Sequence, residues 1–371
     1  MTVGNVKARV GRRELTSMFT LFVAAHAFLD YPDQVSEYGF EAAWMEPLLA
    51  GIMALVVFLA MDQLFRRFFP GKGLLEVLRI GFGRYVSTAI ALALAGYFIF
   101  VTASIMRQFS ETVIITVLPA TPILVVSAMF VATVAYVATC GLEAVVRVAQ
   151  IAFPIVIIAF IGLCLLTMNW WHPALLFPFW GSGIGSLAIG GYKTSAIFLN
   201  VLLLSIIYPH AQDYRDLRKV GVRSTLYSML LLTAFLLVYH MVFAPLETQN
   251  LASPIYSLAR VIHAGRFIQR IESIYIFIWV SAAVLKMSIT IWAAAYILTD
   301  TFQWPSYRPI MPALALLCAS ISLTTSDVAS VVRSQEDTML DWGWIVALGV
   351  PLAILLIGTF RQQLKRGDAR V

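Results

Sequence analysis

Leu15-Thr16-Ser17-Met18-Phe19-Thr20-Leu21-Phe22-Val23-Ala24-Ala25-His26-Ala27-Phe28-Leu29-Asp30-Tyr31-Pro32 carries no acid, lysine or arginine until Asp30, and Pro32 follows two residues later. An apolar run of about 18 to 25 residues is the length that crosses roughly 30 Å of hydrocarbon as a helix. Proline disfavours helix at the residue before it and supplies no backbone donor. The run therefore predicts a membrane helix that breaks or kinks near residues 29–32. No A-x-A-like site follows the apolar block, so it is expected to stay as an uncleaved first helix.

The rest of the chain repeats the apolar theme. Of its 371 residues, 60% are hydrophobic and 12% charged, and the mean hydropathy is +0.84. Soluble domains carry roughly 25% charge, so a soluble core cannot absorb this much apolar surface. Further spans are expected at 44–65, 84–106, 120–140, 148–168, 187–209, 223–245, 271–300, 309–325 and 342–360, the first running over 14–38. The reading is an all-α integral membrane protein of ten transmembrane helices. Cys140, Cys164 and Cys318 fall in or beside spans without CxxC spacing and read as packing residues. No metal-ligand spacing, nucleotide loop or nucleophile–base constellation stands out, so neither an enzyme nor a cofactor or metal site is expected.

The formal charge of +6 could suggest nucleic acid, but the basic residues sit in short loops between spans. With the N-terminus inside, segments 1–13, 66–84, 141–147, 210–223, 301–308 and 361–371 hold 19 of the 26 Lys and Arg residues, and Arg107, Arg260, Arg266, Arg270 and Arg333 lie outside. This is the positive-inside pattern, and it places both termini in the cytoplasm. The outer connections 169–186 and 246–270 are long enough for short interfacial or re-entrant helices.

Ten spans divide into five and five, residues 1–168 and 187–360 of a single transmembrane domain with a cytoplasmic tail at 361–371. Two such halves have inverted topology, and interrupted helices at matching positions point to a binding site between them. The sixth span carries the second weak stretch, Gly190-Gly191 followed by Lys193, Thr194, Ser195 and Asn200. Asp30 and Lys193 either bind a polar ligand or pair with each other. His26 stands four residues before Asp30, on the same helical face; in an apolar span it either contacts a ligand or satisfies a backbone carbonyl. Lys286 lies mid-span in Ala282-Ala283-Val284-Leu285-Lys286-Met287-Ser288, where an ammonium costs about 2.5–3.5 kcal/mol and turns inward to a partner or a cavity.

Several segments resemble the spore germination permease family, the B subunits of GerA-type nutrient germinant receptors within the amino-acid/polyamine/organocation transporter superfamily. They are Leu64-Phe65-Arg66-Arg67-Phe68-Phe69-Pro70 with Leu75-Glu76 and Gly81-Phe82-Gly83; Arg107-Gln108-Phe109-Ser110-Glu111 leading to Pro119-Ala120-Thr121-Pro122; Gly141-Leu142-Glu143-Ala144-Val145-Val146-Arg147; and Arg270-Ile271-Glu272-Ser273 before Trp279. The resemblance implies a LeuT-type fold of ten helices in a 5+5 inverted repeat. It also implies sensing of a small nutrient ligand such as an amino acid, and assembly with an A-type subunit and a lipoprotein C-type subunit. The alternative is an ordinary secondary transporter of amino acids or amines. In the LeuT arrangement the eighth helix packs beside the first near a sodium site, so Lys286 would substitute for the ion, with carbonyls near Phe28 and Leu29 and the Asp30 carboxylate as its acceptors. His26, Asp30, Lys193, Thr194, Ser195 and Asn200 are the expected ligand-binding residues. The sequence departs from the family at Ala25-His26-Ala27-Phe28-Leu29-Asp30, where glycine is usual, and at Val201 and Leu203, where germination permeases often carry glycine and glutamate.

The loop charges make a prediction that cysteine scanning in intact cells checks. Single cysteines placed within 169–186 label from outside, and one near residue 215 labels only after the membrane is opened; external labelling at 215 would reverse the topology.

Overall fold

The computed structural model describes residues 10–29, 31–213, 215–248, 251, 253–262, 271–324 and 341–368. Asp30, Arg266, Arg270 and Arg333 lie outside the described residues. The helices are α1 (Arg12–Ala24), α2 (Tyr31–Gly39), α3 (Glu46–Phe68), α4 (Leu74–Thr116), α5 (Ile123–Thr139), α6 (Leu142–Leu166), α7 (Ile184–Thr194), α8 (Asn200–Ile207), α9 (Leu217–Val242), α10 (Pro245–Thr248), α11 (Pro254–Arg260), α12 (Ile271–Phe302), α13 (Met311–Leu323) and α14 (Val350–Asp368), the last preceded by a π-helical turn. Seven stretches among the described residues are long and apolar enough to cross a membrane, and α5 and Arg308–Leu323 are shorter apolar helices.

Local chemistry sets most boundaries. Gly11 is extended, and its N–H donates to Glu14 Oε2 at 2.8 Å, which starts α1. A 3₁₀ turn over Ala25–Phe28 ends that segment, and Leu29 is extended at φ −98°, ψ −170°. Pro32 then sits in the first turn of α2, where its missing N–H has no helical partner to lose. The interruption thus precedes the proline. Glu143 pairs with Arg147 one turn on in α6, as i,i+4 spacing allows.

Two expectations about the spans are corrected. The span placed at 84–106 begins as expected after Gly83, whose φ of 75° and ψ of 176° separate it from the helical residues 74–82, but it runs on to Thr116. The same helix carries Arg107, assigned above to an outer loop; its guanidinium is 6% exposed, pairs with Glu111 and donates to the Ser322 carbonyl at 3.3 Å. The interruption of the sixth span falls within the expected stretch 190–200, at Ser195–Leu199, where a 3₁₀ turn leads to Phe198 at φ −81°, ψ 39°, while Gly190 and Gly191 are helical within α7. The two glycines serve close approach instead. A Cβ on Gly190 would overlap the Glu46 carboxyl, and one on Gly191 would lie 2.7 Å from Leu49 Cβ.

In lipid the hydrophobic effect gives helices little reason to associate, so packing against small residues matters more. The α3–α9 seam shows this. Gly221 of α9 leaves room for the Phe58 ring, and Gly51 of α3 for Met229. On the side where the chain starts, Val10 bridges to Ala211, Arg12 Nη1 lies 3.6 Å from Asp216, and Arg66 bonds both Asp62 and the Arg215 carbonyl. The start of α1 is thereby tied to the segment that follows α8.

Gly221→Ala forces Phe58 from its place and is expected to cost about 1–3 kcal/mol, the usual range for overpacking. Its midpoint of thermal unfolding in detergent falls, whereas Gly96→Ala, with nothing within 4 Å of its Cβ, leaves the midpoint level or slightly raised.

Candidate functional site

The two interruptions face one partly open cavity of about 80 Å³. The first helix contributes Phe22, His26, Leu29 and Tyr31, and the second break contributes Ala196, Ile197 and Leu199. Tyr97, Ser104 and Gln108 of α4 and Lys286 of α12 complete its polar lining, together with Gln34. Ser104 Oγ is buried without a hydrogen-bond partner among the described residues.

Lys286 is 2% exposed. Its Nζ lies 2.9 Å from His26 Nε2 and 3.2 Å from Nδ1, while His26 Nδ1 is 3.0 Å from the Val23 carbonyl. A carbonyl can only accept, so Nδ1 carries the proton and Nε2 keeps the lone pair that accepts from the Lys286 amino group. The imidazole thus links that amino group to the end of α1. The Phe22 ring, 5.7 Å from Nζ, adds its electron-rich face. The expected acceptors near Phe28 and Leu29 are replaced by this ring. The 3₁₀ winding explains the change, because the Leu29 N–H turns back to the His26 carbonyl at 3.0 Å and the turn keeps the imidazole toward α12.

The remaining candidates scatter. Asp30 lies outside the described residues. Lys193 is not part of the cavity lining; its Nζ is 2.6 Å from Asp341 Oδ1 and 2.6 Å from Tyr38 Oη. Beside that pair, Tyr192 packs on Trp344 with ring centroids 4.5 Å apart. Thr194 donates to Glu46 Oε2 at 3.0 Å, and Ser195 donates to the Tyr192 carbonyl at 2.7 Å. Asn200 is fully buried, and neither amide atom has a hydrogen-bond partner among the described residues. His240 is held by Ser36 at 2.9 Å and the Leu236 carbonyl at 2.8 Å. No cluster of three or more metal-ligating side chains occurs among the described residues.

Tyr31, Glu46, Tyr97 and Ser104 were missed. Glu46 stands at the edge of an apolar span, where an acid reads as an interfacial residue, and Tyr97 and Ser104 carry no motif. Their only signal was helical phase: Tyr97, Val101, Ser104, Ile105 and Gln108 recur at three- and four-residue steps on one face of α4.

Residues 9–331 match the family described as "Spore germination protein". The chain belongs to this family. Spore germination protein KB of Bacillus subtilis (strain 168) is 23% identical over 326 residues, 86% of each chain. Spore germination protein B2 of the same organism is 23% identical over 368 residues, 97% of this chain and 99% of that one. Among solved structures, the nucleobase-cation-symport-1 family transporter MHP1, in a closed conformation with bromovinylhydantoin bound, aligns with a TM-score of 0.63 at 12% identity over 98% of this chain and 92% of that one. This spore germination family member therefore has the fold of the LeuT-type transporters.

His26→Leu leaves the buried Lys286 ammonium without its acceptor, and an unmet buried group costs roughly 1–3 kcal/mol or more when charged. Paired with Lys286→Met, the loss is expected to be much less than the sum of the single effects. A double-mutant cycle on thermal unfolding reads the coupling, and additive effects would show that the contact carries no energy.

Proposed function

We propose that the chain is the membrane subunit of a spore nutrient germinant receptor. In this reading a small nutrient, an amino acid or similar molecule, enters the cavity between the two helix interruptions and shifts the chain between conformations. The observation that carries it is the meeting of both interruptions with Lys286 at one cavity in a member of a spore germination family. A ligand moves such an equilibrium only by binding one state better than the other. The ligand contacts proposed are His26 and Asp30, with Lys193, Thr194, Ser195 and Asn200 as residues that position the sixth helix. Lys286 acts as the built-in substitute for a bound cation.

The architecture proposed is ten helices in a 5+5 inverted repeat, 1–168 and 187–360, with both termini and the 361–371 tail in the cytoplasm. The seven long apolar stretches, the two shorter ones and the α1 segment are what supports that number. The partners proposed are an A-type subunit and a lipoprotein C-type subunit, and the family membership supports them. Its likeness to transporters supports the second reading, a secondary transporter, but a fixed cation at Lys286 leaves less need for a coupling ion and favours sensing.

Spores of a deletion strain, tested against a nutrient panel, are expected to lose the response to one nutrient class. Spores carrying Lys286→Met should accumulate the protein yet fail to respond, and Lys286→Arg should respond in part, since a guanidinium fork is broader than an ammonium. Unchanged sensitivity in the methionine variant would overturn the role of Lys286. Uptake of labelled nutrient by vesicles containing this chain alone would favour the transporter.

A further inference from the structure

Behind the cavity lies a carboxyl group that the receptor reading does not use. Glu46 is the first residue of α3 and is 0% exposed. Its Oε2 accepts from Thr194 of α7, and its buried Oε1 faces the Gly39 backbone but makes no hydrogen bond of normal geometry among the described residues. Two glycines make room for it. A Cβ on Gly39 would lie 2.8 Å from Oε1, and one on Gly190 would collide with it. The carboxyl therefore occupies the junction of α2, α3 and α7.

No lysine, arginine or histidine among the described residues lies within 4.0 Å of this carboxyl. The basic groups of the elements packed around it are engaged elsewhere, and Glu37 of α2 and Glu41 of the turn before α3 add no positive charge. Lys193 of α7 is engaged by Asp341 and by Tyr38 of α2, and His240 of α9 by Ser36 and the Leu236 carbonyl. Tyr31 of α2 sits beside Glu46 and Thr194 but makes no hydrogen bond of normal geometry. A buried carboxylate without a cation costs several kcal/mol. The N-terminal end of α3 returns about 0.3–1 kcal/mol to an anion, and at most about 2. Burial wins, so the acid holds its proton at rest. The helix end narrows the gap enough for a change in surroundings to remove that proton.

We propose that Glu46 is a proton-binding site whose neutral acid joins α2, α3 and α7, and whose ionisation, reached from the cavity through Tyr31, loosens them. Tyr31 is common to both places, since it lines the cavity and flanks the carboxyl. The proton leaves Oε1 for water in the cavity beside Tyr31. The resulting anion has one oxygen met only by the Gly39 backbone outside normal hydrogen-bond geometry, and it draws water into the glycine-lined junction. The first half of the sixth helix and the second half of the first helix then part from α3. The site stands on its own geometry, and only its link to the nutrient response rests on the receptor reading.

The test uses the purified full-length chain in detergent and infrared spectroscopy. Wild-type protein is expected to show the carbonyl stretch of a protonated carboxylic acid that is lost in Glu46→Gln. Thr194→Val, which removes the hydrogen bond to that carbonyl, should shift the same band to higher frequency. In spores, Glu46→Gln should accumulate and abolish any rise of the nutrient response with external pH. A spectrum unchanged in Glu46→Gln, or a band unmoved in Thr194→Val, overturns the proposal, and so does a pH profile identical to wild type. If the glutamine variant does not accumulate, the valine variant decides alone. The infrared result needs no nutrient, so a failure of the receptor reading leaves the proton site separately decided.

Discussion

The buried amino group of Lys286 is the constraint around which the centre of the molecule is arranged. A lysine in the middle of a membrane helix has to find a partner, and among the described residues that partner is the imidazole of His26. The imidazole passes the demand along to the Val23 carbonyl at the end of α1, a group already released by the helix ending there. The lysine amino group, the ring and the helix terminus therefore form one unit, and the break in the first helix is part of how the lysine is accommodated.

From that unit the polar groups extend in two directions. Toward the cavity lie Tyr31, Tyr97, Ser104 and Gln108 among apolar neighbours, the mixture of apolar walls and few polar groups common to small-molecule sites. Beyond Tyr31 lies the Glu46 junction, and beyond that the Lys193–Asp341–Tyr38 contact, which joins the first half of the sixth helix to the start of the last helical stretch. At the other end, the Val10–Ala211 bridge and the Arg12–Asp216 pair tie the start of α1 to the segment after α8. Each end of the two interrupted helices is thus held by polar contacts, while their middles line the cavity. Such contacts can exchange for water at modest cost, and this suits segments that move.

Much of the fold was legible because membrane spans are written in length and hydropathy. The interruption after Leu29 was legible too, from an acid and a proline ending a long apolar run. The sixth-helix interruption falls inside the expected stretch, but the glycine pair that helped to mark it serves another purpose. Gly190 and Gly191 weaken a helix in isolation, yet a glycine pair also permits close contact, and the Glu46 and Leu49 side chains take the space. Lys193 invited a role in binding because its charge sits in an apolar span. Its partner, Asp341, is 148 residues away in sequence, and no local pattern pairs them.

The sequence by itself determined that the chain is a bundle of membrane helices, that its first helix is interrupted, and that Lys286 must turn inward. These follow from local costs: apolar length, a missing backbone donor and a charge in hydrocarbon. Only the tertiary structure decided which group meets Lys286, that the break in the sixth helix follows Thr194, and that Glu46 is enclosed without a cation among the described residues. Those outcomes depend on which faces of α1, α3, α7 and α12 come together, and helix contacts in lipid are chosen by shape and by single hydrogen bonds that leave almost no periodic trace in the sequence.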